Sequence, residues 1–476
     1  MTKTDLPPYA APVRSSAPTR GTDGGRPGRP SRPVTGGALG SDLALLVIAN
    51  VMIVFGMWLG HGGWGEISAG HSGLFLGLAQ LTGLYASLLA LAGITIAARP
   101  AALERRVGLD RALGWHRRLG GTFTVVAVVH TIVSVIAYAD VDQVGVLHEF
   151  GALLTHYRFM VPATIGTGML VVIAVSSMRA MRRRLSYETW YFIHLNAYFA
   201  VALAFGHQLT AGSDLVSDPL ARVYWIGLHV AVLAVIVWSR IGGLVRSIGW
   251  QQVRVEAVVA ESPDTASLYL GGDDVARLHA EAGQFFLLRV LRPGLWWQTH
   301  PYSISAAPTD RSLRFTVKQL GDASATMTGL AVGTRVALEG PYGRFTASSR
   351  APGRKVVLIG AGIGIAPLRA ILETLDADAA PVVLFRARSA ADLVHLQEMQ
   401  TLAAARNGVV RTLVGSRLHL GVSDPFGSDQ LRQAVPDIAE REAFVCGPES
   451  MLHAARKGLA GAGMEPQRIH CERFWY

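Results

Sequence analysis

Six long apolar runs lie between Ser41 and Ile241, near residues 42–60, 74–97, 118–138, 161–178, 190–210 and 220–241. Each is close to the ~20 residues that a helix needs to cross the hydrocarbon core of a bilayer. Inside lipid, backbone polar groups must be bonded within the segment, so runs of this length fold as helices. The remainder is different. From Gln251 onward apolar residues alternate with polar ones, as in a soluble protein. The uneven distribution explains a composition that is 50% hydrophobic and only 16% charged, which is too apolar for an ordinary soluble protein.

Charge sorts the loops between the runs. The second connection carries Arg99, Arg105, Arg106, Arg111, Arg117 and Arg118, and the fourth Arg179, Arg182, Arg183 and Arg184. Arg240, Arg246 and Arg254 follow the sixth run. The first connection, His61 to Ser72, has no Lys or Arg. The third carries Asp140, Asp142 and Glu149, and the fifth Asp214 and Asp218. The positive-inside rule then places both termini in the cytosol of a multi-pass cell-membrane protein. A net charge of +10 would ordinarily point to nucleic acid. Here the arginines sit in alternate membrane loops and in the N-terminal tail, so no nucleic-acid partner is expected and the partner is membrane lipid. Residues 1–40, rich in Pro, Gly, Ser and Arg, are expected to be disordered. They lack the apolar core of a signal peptide, so the first run is expected to act as an uncleaved anchor. Cys446 and Cys471 are too few and too far apart for a disulfide framework.

Ionisable residues inside a bilayer are costly and mark functional sites by default. The third run carries His116 and His130, 14 residues apart, and the fifth His194 and His207, 13 apart. Fourteen residues return a side chain to nearly the same helix face. Thirteen leave it rotated by roughly 140°, which tilt or curvature would have to absorb. Both helices run in the same direction, so His116 and His194 lie at the inner level and His130 and His207 at the outer level. Two imidazoles at each of two depths can ligate two stacked haem irons. The alternative is scattered histidines bonded to backbone or facing a cavity. His229, in the sixth run, has no such partner and is expected to be structural.

The segments GWHRRLGGTFTVVAVVH and RLSYETWYFIHLNAYFAVALAFGH resemble the haem-bearing helices of the ferric reductase and NADPH oxidase superfamily. The resemblance implies two bis-histidine b-type haems on His116, His130, His194 and His207. Arg117 and Arg118 could meet a haem propionate or simply mark the inner leaflet. Bis-histidine ligation leaves no open iron position, so the acceptor would take its electron without binding iron. No calcium-loop pattern is present.

Residues 251–347 read as an antiparallel β-barrel domain, with alternating runs such as QFFLLRV and LRFTVKQL broken by Gly and Pro. Within it, His300-Pro301-Tyr302-Ser303-Ile304-Ser305 resembles the superfamily's flavin motif, where related soluble reductases place Arg first. Lys318 to Ser324 resembles its second flavin segment, with Gly321 and Ser324 letting backbone amides approach a pyrophosphate. Pro341-Tyr342-Gly343 resembles the closing turn. Residues 353–476 change to strand, Gly-rich turn and helix, the pattern of a parallel α/β nucleotide-binding domain. Gly360, Gly362, Gly364 and Pro367 follow the strand KVVLI and open a helix, where backbone amides and the helix N-terminus attract a pyrophosphate. Cys446-Gly447-Pro448 resembles the turn that lies beside the nicotinamide in ferredoxin-reductase-like folds; a small buried thiol is the plainer account of Cys446. Glu472 and Phe474 match the family's acidic residue and flavin-covering aromatic, with Trp475 and Tyr476 as alternatives. Arg386 and Arg388, with no acidic residue beside them, suit the 2′-phosphate of NADPH.

The chain therefore reads as a six-span helical membrane bundle (41–241) followed by an FAD domain and an NAD(P) domain. It would pass electrons from NADPH through FAD and two b haems to an acceptor. That acceptor is O₂, giving superoxide, in slight preference to a chelated ferric or cupric ion. A histidine-relay transporter is the remote non-enzyme alternative.

Overall fold

The computed structural model describes residues 38–211, 213–249, 252–415 and 424–473. All six apolar runs are helical. They form α1 (Ala38–Gly60), α2 (His71–Ala97), α3 (Leu109–Val141), α4 (Met160–Ser177), α5 (Tyr187–Leu195) with α6 (Ala197–Ala211), and α7 (Pro219–Ile236), which runs on as a π-helical turn over Val237–Gly242. Among the described residues four helices are long and apolar enough to cross a membrane: His71–Ala97, Arg111–Val141, Met160–Ser177 and Pro219–Gly242. Ala44–Gly60 is apolar but shorter. The outward faces are apolar as well: Val125 and Phe192 are 63% and 69% exposed, as expected where the solvent is lipid.

The fifth run is two helices, and its break has a local cause. The Asn196 side chain donates from Nδ2 to the Phe192 carbonyl at 2.7 Å, offering that carbonyl a partner other than the helix ladder. The break lies between His194 and His207, the stretch whose 13-residue spacing departs from a whole number of helical turns. Ser186 caps α5, accepting from the Thr189 amide at 3.1 Å. Asp218 caps α7, accepting from the Leu220 amide at 2.8 Å, with Pro219 in the first turn.

The second domain consists of two three-stranded antiparallel sheets. One has the order β1 (Arg254–Ser262), β2 (Thr265–Gly271), β5 (Ser312–Lys318). The other has the order β4 (His300–Ser303), β3 (Phe285–Val290), β6 (Val336–Tyr342). Isolated bridges at Arg254–Arg335 and Ile304–Phe315 join strand ends across the two, and both sheets share one core around Phe286, Phe315, Leu268 and Leu288. Helix α8 (Asp322–Thr328) follows β5.

The third domain has a five-stranded parallel sheet in the order β11 (Ile469–Arg473), β10 (Glu442–Gly447), β7 (Val356–Ala361), β8 (Val382–Ala387), β9 (Val409–Val414). From β7 the chain adds strands on one side, then returns to the other with β10. The carboxyl ends of β7 and β10 therefore flank the topological switch point, where open α/β sheets bind ligands. Helix α9 (Ile365–Thr374) follows β7, and α10 (Leu396–Ala404) follows β8. Ala370 of α9 packs into the core of the second domain.

Candidate functional site

The four membrane histidines meet in two pairs. The rings of His116 and His194 have centroids 5.9 Å apart, and those of His130 and His207 6.2 Å apart. Metal–imidazole bonds of about 2 Å, with two rings on opposite sides of one metal, put the ring centres about 6 Å apart. Both pairs fit that separation. The histidines of α3 are oriented by α2. His130 Nδ1 lies 2.8 Å from the Ala79 carbonyl, and His116 Nδ1 lies 3.0 Å from the Gly93 carbonyl. Those carbonyls are 14 residues apart, the same spacing as the histidines they hold. With Nδ1 donating to backbone, Nε2 is left as the metal-binding atom, the usual outer-shell arrangement of a ligating His.

A cavity of about 350 Å³ contains the His130–His207 pair and runs to Glu66, Tyr138 and Tyr157. Its polar walls are fixed in place: Gln80 accepts from Trp58 Nε1 at 3.1 Å and Gln208 from Trp225 Nε1 at 2.8 Å. A Cβ built on Gly83 would lie 2.7 Å from His130 Cε1, so a glycine there gives the imidazole its place. His194 is held differently. Trp190 stacks on it at 5.0 Å and 22°, and Arg182 lies over Trp190 at 4.7 Å. Gly83 and Trp190 were not singled out by the sequence, and Arg182 only as one of the loop arginines. Only their nearness to the histidines marks them. His229 lies 2.9 Å from the Trp225 carbonyl and against Phe205. Arg117 and Arg118 are exposed.

In the second domain β4 carries His300, Pro301, Tyr302 and Ser303 beside β3, Tyr302 opposite Phe286. Ser303 and Ile304 are buried, and burial pushes the Tyr302 phenol well above its ordinary range, so it stays a donor. His300 Nε2 stands 3.3 Å from Gln298 Oε1. A small recess joins His300 to Ala323 and Thr326 of α8, so the two flavin segments are neighbours. Ser324 Oγ accepts from the amides of Leu320 at 2.7 Å and Gly321 at 3.1 Å. This is the returning arm of a capping box, and it gathers the amides of the turn.

In the third domain the two turns at the switch point touch. Gly362 has φ of +53°. A Cβ on Gly364 would run into the Cys446 carbonyl and stand 3.0 Å from Gly447 Cα. Only glycine allows this approach. Cys446 is fully buried, and Glu472 is its register partner on β11. Pro367 is buried in α9, while Pro448 opens the helix Glu449–Gly461. Phe474, Trp475 and Tyr476 lie outside the described residues.

The two arginines after β8 differ. The Arg386 guanidinium donates to the carbonyls of Ala387, Leu413 (2.8 Å) and Gly415, where it ties β8 to the end of β9. Arg388 is exposed. Of the pair expected to read a 2′-phosphate, Arg388 has the open position and Arg386 is engaged in structure.

Comparison with known proteins follows the same division. Residues 77–205 match the family described as "Ferric reductase like transmembrane component", residues 259–346 "FAD-binding domain" and residues 358–457 "Oxidoreductase NAD-binding domain". An NADPH oxidoreductase of Mycobacterium tuberculosis is 31% identical over 236 residues, 46% of this chain and 59% of that protein. The reductase subunit of stachydrine N-demethylase of Rhizobium meliloti is 31% identical over 227 residues, 45% of this chain and 64% of that one. The chain thus spans less than two thirds of the length of these relatives. The solved FAD/NAD-binding domain of a Vibrio cholerae nitric oxide dioxygenase is 27% identical, with TM-score 0.41, covering 47% of this chain and 98% of that one. The chain joins, in order, a ferric reductase-like transmembrane component, an FAD-binding domain and an oxidoreductase NAD-binding domain, the domain set of an NAD(P)H-dependent FAD oxidoreductase.

Proposed function

We propose that this protein is a six-span membrane flavohaem oxidoreductase. It takes hydride from NADPH in the cytosol and delivers single electrons through FAD and two b-type haems to an acceptor at the opposite face. The observation that carries this reading is the meeting of four histidines as two facing pairs, each at the separation of two imidazoles sharing one metal. The soluble domains adjoin the arginine-rich end of the bundle: Tyr342 lies within electrostatic reach of Arg99 and Glu104, which supports cytosolic termini.

When bound, FAD accepts a hydride and passes it on as single electrons, and the haems carry these across the membrane. The chain's own residues do the rest. The turns at Gly360–Gly364 and Cys446–Pro448 would hold the coenzyme at the switch point, and Arg388, exposed beyond β8, would meet its 2′-phosphate. Tyr302 would pack on the flavin and Ser303 would hydrogen-bond it. The carbonyls of Ala79 and Gly93 fix the imidazoles of His130 and His116.

O₂ is the preferred acceptor, because the walls around the His130–His207 level are mainly apolar, and a small neutral molecule crosses such walls without the desolvation cost that a chelated metal ion would meet. A metal reductase is the second reading, favoured by the acidic character of that end of the bundle, where Asp142, Glu149 and Glu66 all lie within electrostatic reach of Tyr138. Purified, haem-loaded protein given NADPH should consume O₂ and form superoxide that superoxide dismutase intercepts. Reduction of ferric chelates with no superoxide would select the second reading, and no haem in the purified protein would end both.

A further inference from the structure

The joint between the FAD and NAD(P) domains contains a closed ring of charged and backbone groups. Arg314 of β5 donates from Nη2 to the Ser305 carbonyl at 2.7 Å and from Nε to Ser305 Oγ at 3.2 Å. Its two terminal nitrogens also grip Glu398 of α10, at 3.2 and 3.1 Å. Glu398 receives Arg369 Nε of α9 at 2.8 Å. Arg369 pairs with Glu373 one turn along. Glu373 accepts from the backbone amide of Ala307 at 2.6 Å, two residues beyond Ser305, and the ring closes.

Its two anchors are the ends of both cofactor sites. Ser305 and Ala307 continue the flavin strand His300–Ser303. Arg369 and Glu373 lie on the helix opened by the Gly360–Gly364 turn. Both arginine side chains are buried, at 3% and 4% exposure. Burial raises the Glu398 carboxyl, but its hydrogen bonds to His395 and Arg314 and the charges of Arg314 and Arg369 hold it well below the usual carboxylate range. Glu398 therefore stays charged at physiological pH and keeps its grip on both guanidiniums. Two further rungs extend it along the same face of β5: Thr316 Oγ1 to His395 Nε2 at 2.9 Å, and Lys318 Nζ to Asp392 at 2.7 Å.

Stability alone is a poor account of such a ring. Desolvating buried ions offsets much of their attraction, and well-packed apolar side chains often do as well or better. What a bidentate, closed ring provides is fixed distance and angle. We propose that this ring holds the nicotinamide-binding helix in register with the flavin-binding strand, and that Arg314 and Glu398 are positioning residues for hydride transfer. The inference rests on the proposed NADPH-to-FAD chemistry. A hydride moves only when donor and acceptor atoms are near contact, and a 1 Å error costs on the order of a hundredfold in rate.

The test uses the full-length, FAD-loaded protein in detergent. Anaerobic stopped-flow measures the limiting rate of flavin reduction and the NADPH Kd. The long-wavelength charge-transfer absorbance of the nicotinamide–flavin pair and the melting temperature are recorded alongside. Glu398→Gln should lower the limiting rate at least about tenfold with Kd changed less than about threefold, and should weaken the charge-transfer band. Arg314→Lys, which keeps the charge and loses the fork, should show the same split. The triple variant Arg314→Met, Glu398→Leu, Arg369→Met should regain the wild-type melting temperature without regaining the rate or the band. Wild-type rates in Arg314→Lys and Glu398→Gln, or a triple variant that recovers rate and stability together, would overturn the proposal. If NADPH fails to reduce the flavin of the wild-type protein, the functional reading itself has failed, and that result is distinct from either.

Discussion

The membrane and soluble halves follow opposite rules for hiding function. In the bundle, outward and inward side chains are alike apolar, so a histidine is conspicuous wherever it stands. In the soluble half the core is apolar, with Phe286, Phe315, Phe385 and Phe444 fully buried, while polar residues are plentiful and most only meet water. There the working residues are found by the turns that carry them. The same contrast governs what holds each site. Backbone carbonyls of a neighbouring helix orient the histidines of α3. Side-chain ion pairs tie the sheet of the second domain to two helices of the third.

The largest expected effect would break the membrane half of the comparison outright. His130→Ala should remove the outer haem, leaving about half the haem content, while NADPH still reduces the flavin at the wild-type rate. A full two-haem spectrum in this variant would refute the pairing of His130 with His207 as ligands.

The second separates two arginines that look equivalent in sequence. Arg388→Ala should weaken NADPH about tenfold or more against NADH, since a charge-assisted hydrogen bond contributes roughly 1.5–3 kcal/mol. Arg386→Ala should affect both coenzymes alike, because its guanidinium bonds backbone carbonyls. Coenzyme binding measured by titration decides; selectivity lost through Arg386 instead would reverse the assignment.

The third sharpens the comparison within the bundle. Gly83→Ala places a methyl against the His130 ring and should cost about 1–3 kcal/mol through overpacking, seen as partial loss or altered spectrum of the outer haem. Gly93→Ala meets nothing within 4 Å and should leave both haems unchanged. Similar spectra for the two would deny Gly83 its role.

The smallest effect concerns a thiol in the soluble half. Burial, with Glu472 alongside, pushes Cys471 up to about 11 despite the opposing charge of Arg456. The thiol is therefore neutral through physiological pH, and whatever it contributes to stability is lost as pH rises through that value. Alkylation by iodoacetamide in the folded protein should stay slow up to about pH 9 and accelerate toward 11. Fast labelling at pH 7.5 would contradict it.

The soluble motifs were legible because each is a run of neighbours. Gly360–Gly364, Cys446–Pro448 and His300–Ser303 are contiguous, and their surrounding strand and helix patterns are local. The role of Arg386 was not legible. Nothing next to it in sequence announces the carbonyls of Leu413 and Gly415, which reach it only because β9 lies beside β8. The rotation between His194 and His207 was visible as a mismatch, but the helix break at Asn196 that lies between them was not.

The sequence by itself determined the apolar helices, the arginine-rich ends of the bundle, the spacing of the four histidines along their helices and the order of the three domains. These depend on composition and on periods of two or 3.6 residues, which any stretch of chain carries within itself. Only the tertiary structure decided which groups hold the site. Ala79 is 51 residues from the His130 it orients, and Glu398 is 84 residues from Arg314. A contact at that separation has no local period, and it forms only when packing brings two distant elements to the same place.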